Sequence, residues 1–213
     1  MSIVANLKTM RHSLPEGVEL IAVSKTKPGS EILEAYNEGH RMFGENRAQE
    51  MAQKFEELPK DIEWHAIGHL QRNKVKYIAP FVSLIHSVDS LRLLNSIENE
   101  GAKNNRTINC LLQVHIAEEE TKSGFTEEEL HEIMNGPELE NLAHVNIQGL
   151  MGMATNTENL DQIRAEFKSL NRIYCKYDNL EILSMGMSGD YKIAVDEGSN
   201  MVRIGSLIFG ERQ

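Results

Sequence analysis

A short apolar run, a polar or glycine-bearing corner and an amphipathic helix recur along this 213-residue chain. The runs fall at residues 20–25, 41–46, 62–67, 82–88, 108–116, 145–151, 180–187 and 201–205. Runs of this length bounded by breakers read as buried strands. Helical patterns separate them: 30–39, with Ser30 as its cap, then 47–58, 71–79, 90–100, 159–176 and 190–196. One more helix starts on the capping box Thr126-Glu127-Glu128-Glu129, and the first dozen residues form another. Strands alternating with helices imply a parallel sheet, and about eight such units point to a closed (β/α)8 TIM barrel of the α/β class. A doubly wound open sheet is the alternative. No Gly-x-Gly-x-x-Gly corner follows an early strand, which weakens a dinucleotide-binding version of it. No low-complexity linker interrupts the pattern, so one domain over residues 1–213 is expected.

A net charge of −10 disfavours a nucleic-acid or anionic-membrane partner. No apolar run reaches the roughly 20 residues of a membrane span, and the first eight residues lack the build of a signal peptide. Cys110 and Cys175 lie far apart with no metal or redox spacing, so a cytoplasmic location is expected. A monomer is expected.

The first strand carries Leu20-Ile21-Ala22-Val23-Ser24-Lys25 and is stopped by Pro28. Side chains alternate along a strand, so Ile21, Val23 and Lys25 share a face. Lys25 then stands at the lip of a buried strand. Either it snorkels into solvent, or it meets an anion, or it gives up its proton and becomes an amine able to attack a carbonyl.

In such barrels the chemistry gathers at the C-terminal strand ends. Here those ends carry Lys25, Asn46, His69, Asp89, His115, Met151, Ser188 and Gly205. The last two strands end in Met187-Ser188-Gly189 and Gly205-Ser206, corners whose backbone N–H groups and hydroxyls suit an anion, unless they are ordinary glycine turns. Arg203 lies in an otherwise apolar stretch, 201–209, on the face of Met201 and Gly205. A buried guanidinium needs a partner: a barrel carboxylate or a ligand. His65 and His69 are four residues apart but lie on a strand pattern without a companion carboxylate, so no metal site is expected. His86 and His115 read as core or rim histidines with ordinary partners.

A lysine at the first strand facing a phosphate site at the last two suits pyridoxal phosphate, which needs an amine for its aldehyde and a cradle for its phosphate. The chain resembles the pyridoxal phosphate homeostasis protein family over nearly its whole length. The resemblance is carried by Ala22-Val23-Ser24-Lys25-Thr26-Lys27, Phe43-Gly44-Glu45-Asn46-Arg47, residues 65–74, Lys122-Ser123-Gly124, Gly149-Leu150-Met151, residues 184–188 and residues 202–210. It implies a barrel like the N-terminal domain of alanine racemase, with the cofactor as an imine (Schiff base) on Lys25. It further implies phosphate on Ser188, Gly205 and Ser206, Arg203 at the ring nitrogen, and Asn46 and Met151 beside the cofactor. Serine stands at 206 where relatives often have threonine; both bring a hydroxyl.

An arginine at the ring nitrogen keeps it unprotonated and makes the ring a poor electron sink. The racemase adds a tyrosine from a further domain of its partner subunit. Here the chain ends three residues after Gly210, and none of Tyr36, Tyr77, Tyr174, Tyr177 and Tyr191 falls at a strand end. A non-catalytic carrier in vitamin B6 homeostasis is therefore expected, with PLP-dependent apo-enzymes as recipients; a weak amino-acid racemase is the alternative. Lys27, Lys122 and Arg212 either face the mouth, where a second lysine could receive the departing cofactor, or are solvated.

Overall fold

The computed structural model describes residues 2–119 and 123–211, and across them the strand–helix alternation closes on itself. The strands are β1 (Glu19–Val23), β2 (Met42–Glu45), β3 (Glu63–Ala66), β4 (Leu84–Val88), β5 (Ile108–Gln113), β6 (Val145–Met151), β7 (Ile182–Ser184) and β8 (Met201–Ile204). Every neighbouring pair runs parallel in sequence order. β8 closes on β1, with Glu19 opposite Met201 and Ala22 opposite Ile204. The barrel is a (β/α)8 barrel; an open sheet is ruled out.

The helices are α1 (Ile3–Ser13), α2 (Gly29–Asn37), α3 (Ala48–Glu57), α4 (Val75–Ile78), α5 (Leu91–Asn104), α6 (Glu127–Asn135), α7 (Leu160–Tyr174), α8 (Tyr191–Asp196) and α9 (Ser206–Phe209). Strand parity sorts the core in two. Leu20, Ala22, Phe43 and Trp64 point outward and pack with the helices, in an annulus holding most of the buried apolar surface. Ile21, Leu84, Leu111, Met151 and Met201 point inward and fill the barrel. At roughly 25 cal/mol per Å² of apolar surface, the annulus supplies most of the hydrophobic stabilisation.

Several local expectations are corrected. Ser30 does not cap the second helix: α2 begins at Gly29 behind Pro28, and no side chain caps it. The helix expected over 71–79 is a 3-10 turn, Arg72–Lys74, running into α4. The seventh strand shrinks to three residues because the chain turns away at Gly186, whose φ of 94° favours glycine. The eighth strand falls where expected and stops at Ile204, but residues 206–209, to which the sequence reading assigns no element, form α9. The capping box holds, with Thr126 Oγ1 accepting from the Glu129 N–H at 3.1 Å and Glu129 Oε2 from the Thr126 N–H at 2.9 Å. Among the described residues no helix is long and apolar enough to cross a membrane.

Candidate functional site

The C-terminal strand ends surround a cavity of about 590 Å³. Lys25 stands two residues beyond β1 and lines this cavity, as its parity with Ile21 and Val23 requires. A cluster of charged groups on the outer side of the barrel braces its corner. Lys54, on α3, donates to Ser24 O at 2.9 Å, to Glu45 Oε1 at 2.7 Å and to Glu50 Oε1 at 2.7 Å. Ser24 Oγ donates to Glu45 Oε1 at 2.6 Å, and the Thr26 N–H donates to Glu50 Oε1 at 2.7 Å. Both chain neighbours of Lys25 are thus tied to one cluster. Thr26 is held at φ 64°, a left-handed conformation that is strained for a β-branched residue. Burial pushes the Glu45 carboxyl up to about 7 against the pull of Lys54, and its Oε2 has no hydrogen-bond partner among the described residues.

Arg203 forms the cavity floor and is buried. Among the described residues its hydrogen-bond partners are a hydroxyl and two carbonyls, and the charge acting on it is that of Asp190. Nη1 donates to Ser184 O at 2.9 Å and Ser184 Oγ at 2.6 Å, and Nη2 donates to Gly152 O at 3.2 Å. Burial lowers its pKa to about 10, so the guanidinium keeps its charge at neutral pH. Deeper in the barrel, His86 Nδ1 lies 3.0 Å from Ser184 Oγ, and His86 Nε2 lies 3.0 Å from His65 Nδ1. Burial holds both imidazoles neutral, His65 at about 3 and His86 well below the usual histidine range.

The two glycine corners meet on another part of the wall. Ser188 Oγ accepts from the Gly205 N–H at 3.2 Å, joining the corner after β7 to the one after β8, and Gly189 and Ser206 lie alongside. Asn46 lines the cavity next to Gly68, where a Cβ would fall 2.8 Å from the Asn46 Cα; only glycine lets these two corners pack.

Lys25, Asn46, Ser188, Arg203, Gly205 and Ser206 therefore come together on one cavity. Met151 does not join them. It points into the interior layer with Ile21 and Met201 and is wholly buried, while Met153 lines the cavity. His65 and His69 do not converge: His65 is buried against His86, whereas His69, exposed on the cavity wall, sets Nδ1 3.1 Å from Asp89 Oδ2. His115 turns aside to Glu119 O at 3.0 Å. Lys27 lines the mouth, but its Nζ is engaged by Phe209 O at 2.9 Å and lies 3.4 Å from Glu31. Lys122 and Arg212 lie outside the described residues.

Sequence reasoning missed the Glu45–Lys54–Glu50 cluster. Its signal was a lysine at the spacing of Ala48 and Met51 on the buried stripe of α3, together with a glutamate on the outward parity of Phe43. Opposite charges at two apolar positions of adjacent elements mark a buried pair.

The whole chain, residues 1–213, matches the family of the alanine racemase N-terminal domain. It is 42% identical over 201 residues to the pyridoxal phosphate homeostasis protein of Aquifex aeolicus, covering 92% of this chain and 87% of that protein. It is similar to the structure of PipY of Synechococcus elongatus with PLP bound: TM-score 0.89, 35% identity, 98% of this chain and 100% of that one. The Clostridium difficile alanine racemase shares the fold at TM-score 0.80 and 15% identity, with 99% of this chain covering 57% of that enzyme.

Proposed function

The chain belongs to the pyridoxal phosphate homeostasis proteins, within the family of the alanine racemase N-terminal domain, and from that premise we propose that it binds pyridoxal 5'-phosphate on Lys25 as a carrier without catalytic turnover. The observation that carries the reading is a single cavity lined by a lysine, a buried arginine and two hydroxyl-bearing glycine corners. These residues fit the group: one amine, one fixed cation at the floor, and hydroxyl and backbone donors for a dianion. When bound, PLP supplies an aldehyde that condenses reversibly with a primary amine, and a pyridine ring whose electron demand depends on the charge beside its nitrogen. Lys25 supplies the amine, and the cluster around Lys54 orients it. Ser188, Gly205 and Ser206 hold the phosphate, and Asn46 borders the ring. Arg203, charged and pinned, disfavours a proton on any nitrogen beside it, which keeps the ring a weak electron sink.

The absence of turnover is supported by the wall itself. Among the described residues no tyrosine lines the cavity. Tyr36 bonds Asp61 at 2.7 Å and Tyr174 bonds Leu180 O at 2.9 Å, both away from it. A cytoplasmic carrier of this kind keeps free aldehyde low and loads PLP-dependent apo-enzymes. One observation favours the second reading, a weak amino-acid racemase. His69 gives its Nδ1–H to Asp89, which fixes the imidazole ring on the cavity wall. Titration with PLP followed by incubation with an amino-acid panel in deuterated water separates the two. The carrier reading expects saturable binding with no deuterium at any Cα; exchange that disappears in Lys25→Ala and His69→Gln would establish the enzyme.

A further inference from the structure

The barrel interior contains a run of polar groups for which the site has no direct use: Ser184, His86 and His65, stacked behind Arg203. Their proton order follows from donor and acceptor chemistry. Arginine only donates, so the Ser184 hydroxyl oxygen accepts from Arg203 Nη1. That hydroxyl has one proton to give, and the remaining group in reach is His86 Nδ1. With Nδ1 accepting, His86 carries its proton on Nε2 and donates it to His65 Nδ1, which places the His65 proton on Nε2. The reverse order would have both His86 and Arg203 donating to Ser184, leaving the hydroxyl proton buried without an acceptor. In the forward order each proton from Arg203 through Ser184 and His86 to His65 Nδ1 meets an acceptor.

We propose that Ser184, His86 and His65 are positioning residues for Arg203, forming a one-way hydrogen-bond relay that locks the guanidinium in a single orientation at the cavity floor. The relay rests on buried geometry within the chain; its consequence for a bound cofactor rests on the reading in the preceding subsection. Ser184 grips Nη1 through both its carbonyl and its hydroxyl, and Gly152 O holds Nη2. The Ser184 carbonyl is fixed in β7 and Gly152 directly follows β6, with its N–H donating to Ser184 O at 3.2 Å, whereas the hydroxyl is a free rotor unless His86 takes its proton. His86 in turn gives its Nε2–H to His65 Nδ1. A charge fixed in this way presents a constant field to whatever occupies the cavity, where a mobile one would average over orientations.

The test uses the full chain, ¹⁵N-labelled and free of cofactor, and reads the imidazole nitrogens and the Arg203 guanidinium signals by NMR. Both histidines are expected to be neutral with the proton on Nε2, and Arg203 to show separate, slowly exchanging Nη signals. Ser184→Ala and His86→Leu are expected to average those signals, while His86→Asn, whose Oδ1 replaces the accepting nitrogen, restores them. With PLP added, the two disrupting variants are expected to raise Kd about tenfold and shift the absorbance maximum of the bound cofactor, and His86→Asn to return both towards wild type. A proton on His86 Nδ1, or Arg203 signals and a cofactor spectrum unmoved in folded variants, overturns the proposal. Failure of the wild-type chain to bind PLP at all overturns the carrier reading instead, and the guanidinium signals still decide the relay.

Discussion

Lys54→Met tests whether the corner carrying Lys25 is held from behind. The substitution keeps most of the buried stem but removes an ammonium that makes three hydrogen bonds, to Ser24 O, Glu45 and Glu50. At pH 6, below the value of about 7 to which burial raises the Glu45 carboxyl, that group is largely neutral with or without its partner. The main loss there is the donor to Ser24 O, which is left unsatisfied, and the tie to Glu50, which together cost about 2 kcal/mol. Above pH 7 the wild-type carboxyl ionises against Lys54, whereas the variant must keep a proton or bury an unpaired charge. The cost then grows by up to about 1.4 kcal/mol per pH unit, reaching about 3 kcal/mol at pH 8, at the lower end of the range for a broken buried ion pair. For a chain of this size 3 kcal/mol lowers Tm by about 6–12 °C. The assay is urea or thermal unfolding at both pH values, paired with the yield of cofactor trapped on Lys25. Trapping should fall, because Ser24 and Thr26 lose their common anchor, and Glu45→Gln added to Lys54→Met should recover part of the stability at pH 8. A variant equally destabilised at pH 6 and pH 8, or one as stable as the wild type, refutes the reasoning.

Acid should unfold the protein early. His40 is held at about 4, His65 at about 3 and His86 well below the usual range, all three chiefly by burial. Depressed folded-state values mean that stability present above pH 6.5 is lost as pH falls below it, by about 1.4 kcal/mol per pH unit for each histidine. Glu45, with a raised folded value, acts in the opposite sense between pH 7 and 4.5. Unfolding near pH 5 should therefore take up about two protons net, and stability that is flat or rising from pH 6.5 to 5 would contradict the buried, neutral histidines. Ser188→Ala removes the acceptor of the Gly205 N–H and should raise the PLP dissociation constant about tenfold while Lys25 still labels at saturation; unchanged affinity by absorbance titration would remove Ser188 from the phosphate cradle.

The barrel was legible because alternation is a property of every segment, and an error of a few residues in one strand leaves the topology intact. Lys25 and Arg203 were legible for a related reason: strand parity fixes the direction of a side chain, and a charge on a core-facing parity stands out. Met151 shows the limit of that logic. It was expected beside the cofactor as the end of its strand, but a place at a strand end does not say how deep in the barrel a side chain sits, and it lies in the buried layer beneath the mouth. The Glu45–Lys54 pair carried a signal in opposite charges at buried positions of consecutive elements, whereas the relay from Arg203 to His65 depends on which strands become neighbours in space. Residues 20 or more positions apart, such as His65 and His86, give no local signal of contact. α9 was hidden because Leu207, Ile208 and Phe209 suit a strand as well as a one-turn helix, and the break at Gly205 decides between them.

Borohydride reduction of the PLP-soaked protein, followed by peptide mass spectrometry, tests the central claim most directly. The account predicts one phosphopyridoxyl group, on the peptide containing Lys25, and its loss in Lys25→Ala. Label on another lysine, or an unmodified Lys25 after reduction with excess PLP, would contradict it.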